Sequence, residues 1–282
     1  MSRENARASN LQAGGSGTIG FPVHFQYIRR GKGPVLVLQH GFLSGSAYWQ
    51  KQIDFFSRHF EVIAPTLPGF GDHSPGGTAE GQGPEQAINT ISGYVQYLIA
   101  LLDQANVPHF HLLGHSMGGM IAQETALEFG HRVDKLVLYG TGPDGALPGR
   151  FEPVAASRQR VIRDGPGSTI ARTVASWFVS GARDPAYPDC IELASAASVP
   201  AILGGYDAMA TWSCVDRLPR IDNPTMVIWG TRDRSYHRNQ VDQLVHGIPK
   251  AELKVIGNCA HNVHLEKPDR FNQQVFAFLG SH

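Results

Sequence analysis

Hydrophobic and polar positions alternate along the chain in two rhythms. Phe21 to Arg30 alternates residue by residue, which predicts an edge strand ended by the turn Gly31-Lys32-Gly33-Pro34. Val35 to Gln39 (VLVLQ) is a nearly continuous apolar run, the pattern of a strand covered on both faces. Ser46 to His59 predicts a helix and Glu61 to Pro65 another buried strand. Leu67 to Pro84 is rich in Gly and Pro and reads as a loop. Ile88, Ile91, Val95, Leu98, Leu101 and Leu102 recur at helical spacing and predict a helix over Gln86 to Ala105. A strand over His109 to Leu113, a helix over Met117 to Phe129 and a strand over Asp134 to Tyr139 follow.

The alternation then stops. Gly140 to about Arg220 reads as short helices and loops without strong strands. It resumes with a strand over Thr225 to Trp229, a helix near Asn239 to Val245, a strand over Glu252 to Ile256 and a helix over Asp269 to Leu279. Strands alternating with helices imply an α/β fold, a mostly parallel twisted sheet with helices on both faces. The interruption is too long for a simple loop and reads as an inserted helical cap. The expected division is a flexible N-terminal tail over 1–16, a core over 17–140 and 221–282, and the cap over 141–220.

Composition narrows the function classes. In 282 residues, 24 Lys and Arg balance 24 Asp and Glu. A neutral total argues against a nucleic-acid or membrane-surface partner, both of which favour a basic face. With 42% hydrophobic residues the chain can bury a large core. Cys190, Cys214 and Cys259 are odd in number and widely spaced, so they suggest no disulfide framework and a reducing, cytoplasmic home. The polar N-terminus reads as neither signal peptide nor anchor, and no apolar run approaches the ~20 residues that span a bilayer.

Gly114-His115-Ser116-Met117-Gly118 carries the chemistry. It fits G-x-S-x-G between a predicted strand and a predicted helix. Such a turn is too crowded for side chains two positions before and two after the serine, so both are glycine. Ser116 is the candidate nucleophile, lifted clear of the sheet beside a helix N-terminus. A serine hydroxyl needs a neighbouring base. Among 13 histidines, His261 follows the last predicted strand, on the same rim as Ser116, with His264 as the alternative. The acid that orients the imidazole is assigned to Asp233, just beyond the strand Thr225 to Trp229, with Asp144 as the rival.

These residues resemble the α/β-hydrolase fold superfamily over Phe21 to Leu279. The resemblance is carried by His40-Gly41, Pro68-Gly69-Phe70-Gly71, the elbow at Ser116, Asp233 after Trp229-Gly230, and His261 before Leu265-Glu266-Lys267-Pro268, in the family's order. It implies a Ser116–His261–Asp233 triad and an oxyanion hole made by the backbone N–H groups of Phe42 and Met117. It places the cap after the sixth strand of the family's order. Ala260 departs from the family's usual glycine, and Thr66 from its usual aspartate.

Ser116 argues against dehalogenases and epoxide hydrolases of this fold, which use an aspartate nucleophile. Phe42 and Leu43 replace the HGGG loop of many lipases. Asn262 stands where carbon–carbon bond hydrolases of ring-cleavage pathways usually carry an aromatic residue. The short His-Gly-Phe loop and Ser-Met-Gly-Gly elbow look more like those of small bacterial esterases, enol-lactonases and cofactor-free perhydrolases, and Arg160 to Phe178 looks like an enol-lactonase cap. The implied activity is serine hydrolysis of a small-molecule carboxylic ester or lactone through an acyl-enzyme. The alternatives are carbon–carbon hydrolysis, or acyl transfer, thioester hydrolysis or perhydrolysis on the same triad. None of these calls for a metal or organic cofactor. Phe42, Trp177, Tyr206 and Trp212 are the candidate substrate contacts, with Phe178 and Met209 beside them. Arg158, Arg160, Arg163 and Arg172 are candidate anchors for a substrate carboxylate, and His73 for the pocket entrance. Association into a homo-oligomer is left open.

Overall fold

A computed structural model of the chain describes residues 25–71, 87–146 and 152–280. The expected tail over 1–16, the start of the predicted first strand and His73 lie outside these residues.

Among the described residues, seven strands form one sheet: β1 (Tyr27–Arg30), β2 (Val35–Gln39), β3 (Glu61–Pro65), β4 (Phe110–His115), β5 (Val133–Tyr139), β6 (Thr225–Gly230) and β7 (Ala251–Ile256). Their spatial order is β1-β3-β2-β4-β5-β6-β7. Only the β1–β3 pair is antiparallel; the other pairings are parallel. Every residue of β4 is buried, and so are Leu36 to Gln39 of β2. Successive side chains point to opposite faces, so both faces must be covered. β7 lies at the end of the sheet and is correspondingly more exposed.

The covering helices in the first part are α1 (Gln50–Phe56), α2 (Ile91–Gln104) and α3 (Met117–Phe129). Two sequence expectations change here. The helix predicted over Ser46 to His59 divides into a tight 3-10 turn, Ser46–Trp49, followed by α1. The helix predicted from Gln86 begins only at Ile91, because Thr90 caps it: its side chain accepts the Gly93 N–H at 3.1 Å.

Between β5 and β6 run α4 (Val154–Asp164), α5 (Gly167–Ser176), α6 (Tyr187–Ser195) and α7 (Val199–Ala210). The two ends of this insertion are stitched together at its base. Asp144 and Ser213 form an isolated β-bridge, flanked by Gly145 N–H to Trp212 O (3.0 Å) and Cys214 N–H to Pro143 O (2.9 Å). The remaining helices are α8 (Arg238–Gly247), the short α9 (Val263–Glu266) and α10 (Pro268–Gly280). Among the described residues, no helix is long and apolar enough to cross a membrane.

The topology decides where a site can form. From β2 the chain steps outward to β3, then crosses back to β4 on the other side of β2. Loops leaving β2 and β4 therefore part in opposite directions and open a crevice at the carboxyl ends. Ser116 follows β4, Phe42 follows β2, Asp233 follows β6 and His261 follows β7.

Candidate active site

Ser116 sits between β4 and α3 with φ 57° and ψ −120°. A non-glycine residue rarely occupies positive φ. Leu43 in the loop after β2 is a second, with φ 58°. Strained backbone of this kind persists only where surrounding contacts over-determine it. Those contacts are visible at two glycines. A Cβ on Gly118 would lie 2.4 Å from Gln39 O and 2.5 Å from His40 O. A Cβ on Gly41 would lie 2.7 Å from His115 O and 2.9 Å from Ser116 Cβ. The missing side chains let the elbow and the 40–42 loop lie against each other. That contact brings Gly41 against the start of α3, where a Cβ on it would lie 3.5 Å from Met117 N and where N–H groups have no intrahelical acceptor.

His40 pins the same loop from below. It is fully buried; its Nδ1 donates to Gly41 O at 2.7 Å and its Nε2 accepts the Leu67 N–H at 2.9 Å. Burial pushes its pKa down to about 4, so it stays a neutral strut.

His261 Nδ1 lies 2.9 Å from Asp233 Oδ2, and both side chains are almost wholly buried. The other carboxylate oxygen, Oδ1, accepts the N–H groups of Ser235 (2.7 Å) and Tyr236 (3.1 Å). Asp233 is therefore held in place from both sides. The Tyr236 ring stacks on His261 with centroids 5.7 Å apart and planes 13° apart. The rival residues are occupied elsewhere. Asp144 accepts the Ala146 N–H at 2.8 Å in a turn at the base of the insertion. His264 is buried against Tyr48 and Trp49, with Nδ1 3.1 Å from the Tyr139 hydroxyl. Desolvation lowers the pKa of both His264 and His115 well below 6.5.

Ser116 and His261 line one cavity together with Phe42, Thr173, Trp177, Met209, Ser235 and Tyr236. Counted with its mouth, it encloses about 350 Å³. Of the expected substrate contacts, Phe42 and Trp177 line the cavity, as does Met209. The expectation for the other two is corrected. Tyr206 lies behind Phe42, its ring 4.6 Å away, and supports that wall rather than forming it. Trp212 turns its indole N–H to Glu124 Oε2 at 2.8 Å, beside the Glu124–Arg217 ion pair. Phe178 is fully buried away from the cavity. Ser235 and Tyr236 were missed by sequence reasoning, although both follow Asp233 within three residues.

The candidate arginine anchors do not reach the cavity. Arg158 pairs with Asp207, Arg160 and Arg172 with Glu152, and Arg163 with Asp164. The cap is instead tied to the histidine loop through backbone. Asn262 N–H donates to Trp177 O at 3.0 Å. Glu266 accepts the Val179 N–H at 2.9 Å and the Ala260 N–H at 2.6 Å.

A serine on a strained elbow, a buried His–Asp pair and a helix N-terminus beside them form a recognisable constellation. The sequence profile of the alpha/beta hydrolase family matches residues 35–274. The chain belongs to the alpha/beta hydrolase family. A relative from Paraburkholderia phymatum, a 2-hydroxy-6-oxononadienedioate/2-hydroxy-6-oxononatrienedioate hydrolase, is 31% identical and covers 92% of this chain and 91% of its own. Among solved structures, an enol-lactonase from Burkholderia xenovorans superposes with a TM-score of 0.82 at 20% identity, over 91% of this chain and 96% of its own. An esterase from Exiguobacterium antarcticum gives 0.80 at 20% identity over the same shares, 91% and 96%. At that identity the two structures show the alpha/beta hydrolase fold alone.

Proposed function

We propose that this alpha/beta hydrolase cleaves neutral carboxylic esters or lactones through an acyl-enzyme. The carrying observation is that Ser116 and His261, the latter paired with Asp233, line one cavity whose lining, among the described residues, includes no Lys or Arg. His261 Nε2 takes the Ser116 proton as Oγ attacks the carbonyl carbon. The Phe42 and Met117 N–H groups hold the resulting oxyanion, a role worth ~10²–10³ in rate per donor. The imidazolium then gives its proton to the leaving alcohol oxygen as the C–O bond breaks. A water attacks the acyl-enzyme, His261 takes its proton and returns it to Ser116, and the acid leaves. Asp233 holds the tautomer with Nδ1–H throughout and stabilises the imidazolium.

Carbon–carbon hydrolysis is the second reading, favoured by the name of the 31% identical relative. That substrate carries two carboxylates, and burying a carboxylate needs a partner charge. Arg158, Arg160, Arg163 and Arg172 are already paired with acids. A panel of neutral esters, lactones and a 2-hydroxy-6-oxo dienoate on the purified protein tests the choice. Turnover of the neutral esters, lost in Ser116→Ala, is expected; turnover of the dienoate alone would reverse the assignment.

A further inference from the structure

We propose that the hydroxyls of Thr173 and Ser235 form a polar subsite that selects substrates with a neutral oxygen substituent, a hydroxyl or oxo group, close to the scissile carbonyl. The inference rests on the ester-hydrolase reading and adds the kind of ester. Thr173 comes from α5 in the insertion and Ser235 from the loop after β6, yet both line the cavity that holds Ser116. The two residues are only 4% and 6% exposed.

Their backbone groups are engaged. The Ser235 N–H donates to Asp233, and the Thr173 carbonyl accepts from the Ser176 hydroxyl at 2.6 Å. Neither side-chain hydroxyl hydrogen-bonds to a described residue. Neither hydroxyl is sealed inside the protein, so each is available at the cavity surface, where a ligand oxygen can pair with it. Apart from the reacting pair and the Tyr236 ring, the rest of the lining is Phe42, Trp177 and Met209. The two hydroxyls are thus discrete polar points in an apolar wall, the arrangement that discriminates a substrate with an oxygen from its analogue without one. Among the described residues the lining holds no Lys or Arg, which favours a neutral group over a carboxylate.

The test measures kcat/KM for two ester pairs. Methyl 3-hydroxybutyrate against methyl butyrate places the oxygen on the acyl side. 2-Hydroxyethyl butyrate against propyl butyrate places it on the alcohol side. The wild-type protein is expected to favour the hydroxylated member of at least one pair by about tenfold. In the Thr173→Val, Ser235→Ala double variant that ratio should fall to near one, while Thr173→Ser, which keeps the hydroxyl, should retain it. Should the double variant fail to fold by circular dichroism, the two single variants carry the test, at least one lowering the ratio. No preference in either pair, or a preference unchanged in the variants, overturns the proposal. Turnover of the plain esters reports separately on the hydrolase reading. If the wild type turns over none of the four esters, both proposals fall.

Discussion

The carboxyl rim of the sheet and the inserted cap are built by different rules. At the rim, backbone sets the position of each group. Ser116 is forced into positive φ, and Gly41 and Gly118 have carbonyl oxygens where a Cβ would stand. Asp233 is gripped by two backbone N–H groups, and His261 by Asp233. In the cap, side chains on short helices decide what faces the cavity. Thr173 and Trp177 face it, whereas Trp212 leaves for Glu124. The rim therefore fixes the class of reaction, and the cap is free to fix the substrate.

The sharpest break between the two regions is expected at Asp233→Asn. It keeps the shape but takes away the charge that stabilises the imidazolium and holds the tautomer. kcat should fall by about 10⁴-fold with the melting temperature nearly unchanged. A loss below about tenfold would mean that Asp233 is a structural partner only. Steady-state kinetics on a neutral ester decides this.

Acid should weaken the core selectively. His40, His115 and His264 are buried and neutral, with pKa values held below 6.5, for His40 at about 4. The unfolded chain binds those protons near pH 6.5, so it carries more protons than the folded chain in the window between. Stability is full above pH 6.5 and falls as pH drops toward 4, by about 3 kcal/mol from His40 alone. The cap segment 152–220 contains no histidine. Urea unfolding from pH 7 to pH 4.5 should show the loss, and a flat profile would contradict the burial of these rings.

Glycine substitutions compare the regions directly. Gly118→Ala puts a methyl within 2.5 Å of two backbone oxygens and should cost about 1–3 kcal/mol, with activity lost alongside. Gly167, the first residue of α5, has nothing within 4 Å of such a methyl. Gly167→Ala should be neutral or stabilising by less than about 1 kcal/mol. Equal effects at the two positions, measured by thermal denaturation, would remove the distinction between a tight rim and an open cap.

The same difference explains how much could be read from the sequence. The strands β2 to β6 were legible because both of their faces are buried, which leaves apolar runs such as VLVLQ. The elbow was legible because steric crowding dictates glycine at fixed offsets from Ser116. His261 and Asp233 followed from their places after the last two strands. Local capping by Thr90 overrode the apolar periodicity and moved the start of α2. The cap resisted for a different reason. Trp177 and Trp212 have the same chemistry, and only tertiary packing sends one to the cavity and the other to Glu124. Thr173 carries no sequence signal, since a threonine in an amphipathic helix usually serves packing or solvent.

Reaction with a fluorophosphonate, followed by peptide mass spectrometry, tests the central assignment most directly. Such a reagent phosphonylates a serine that is activated by a base and faces an oxyanion hole. A single adduct on the peptide carrying Ser116, absent in Ser116→Ala, is the predicted result. An adduct on another residue, or none on Ser116 in folded wild-type protein, would contradict the account.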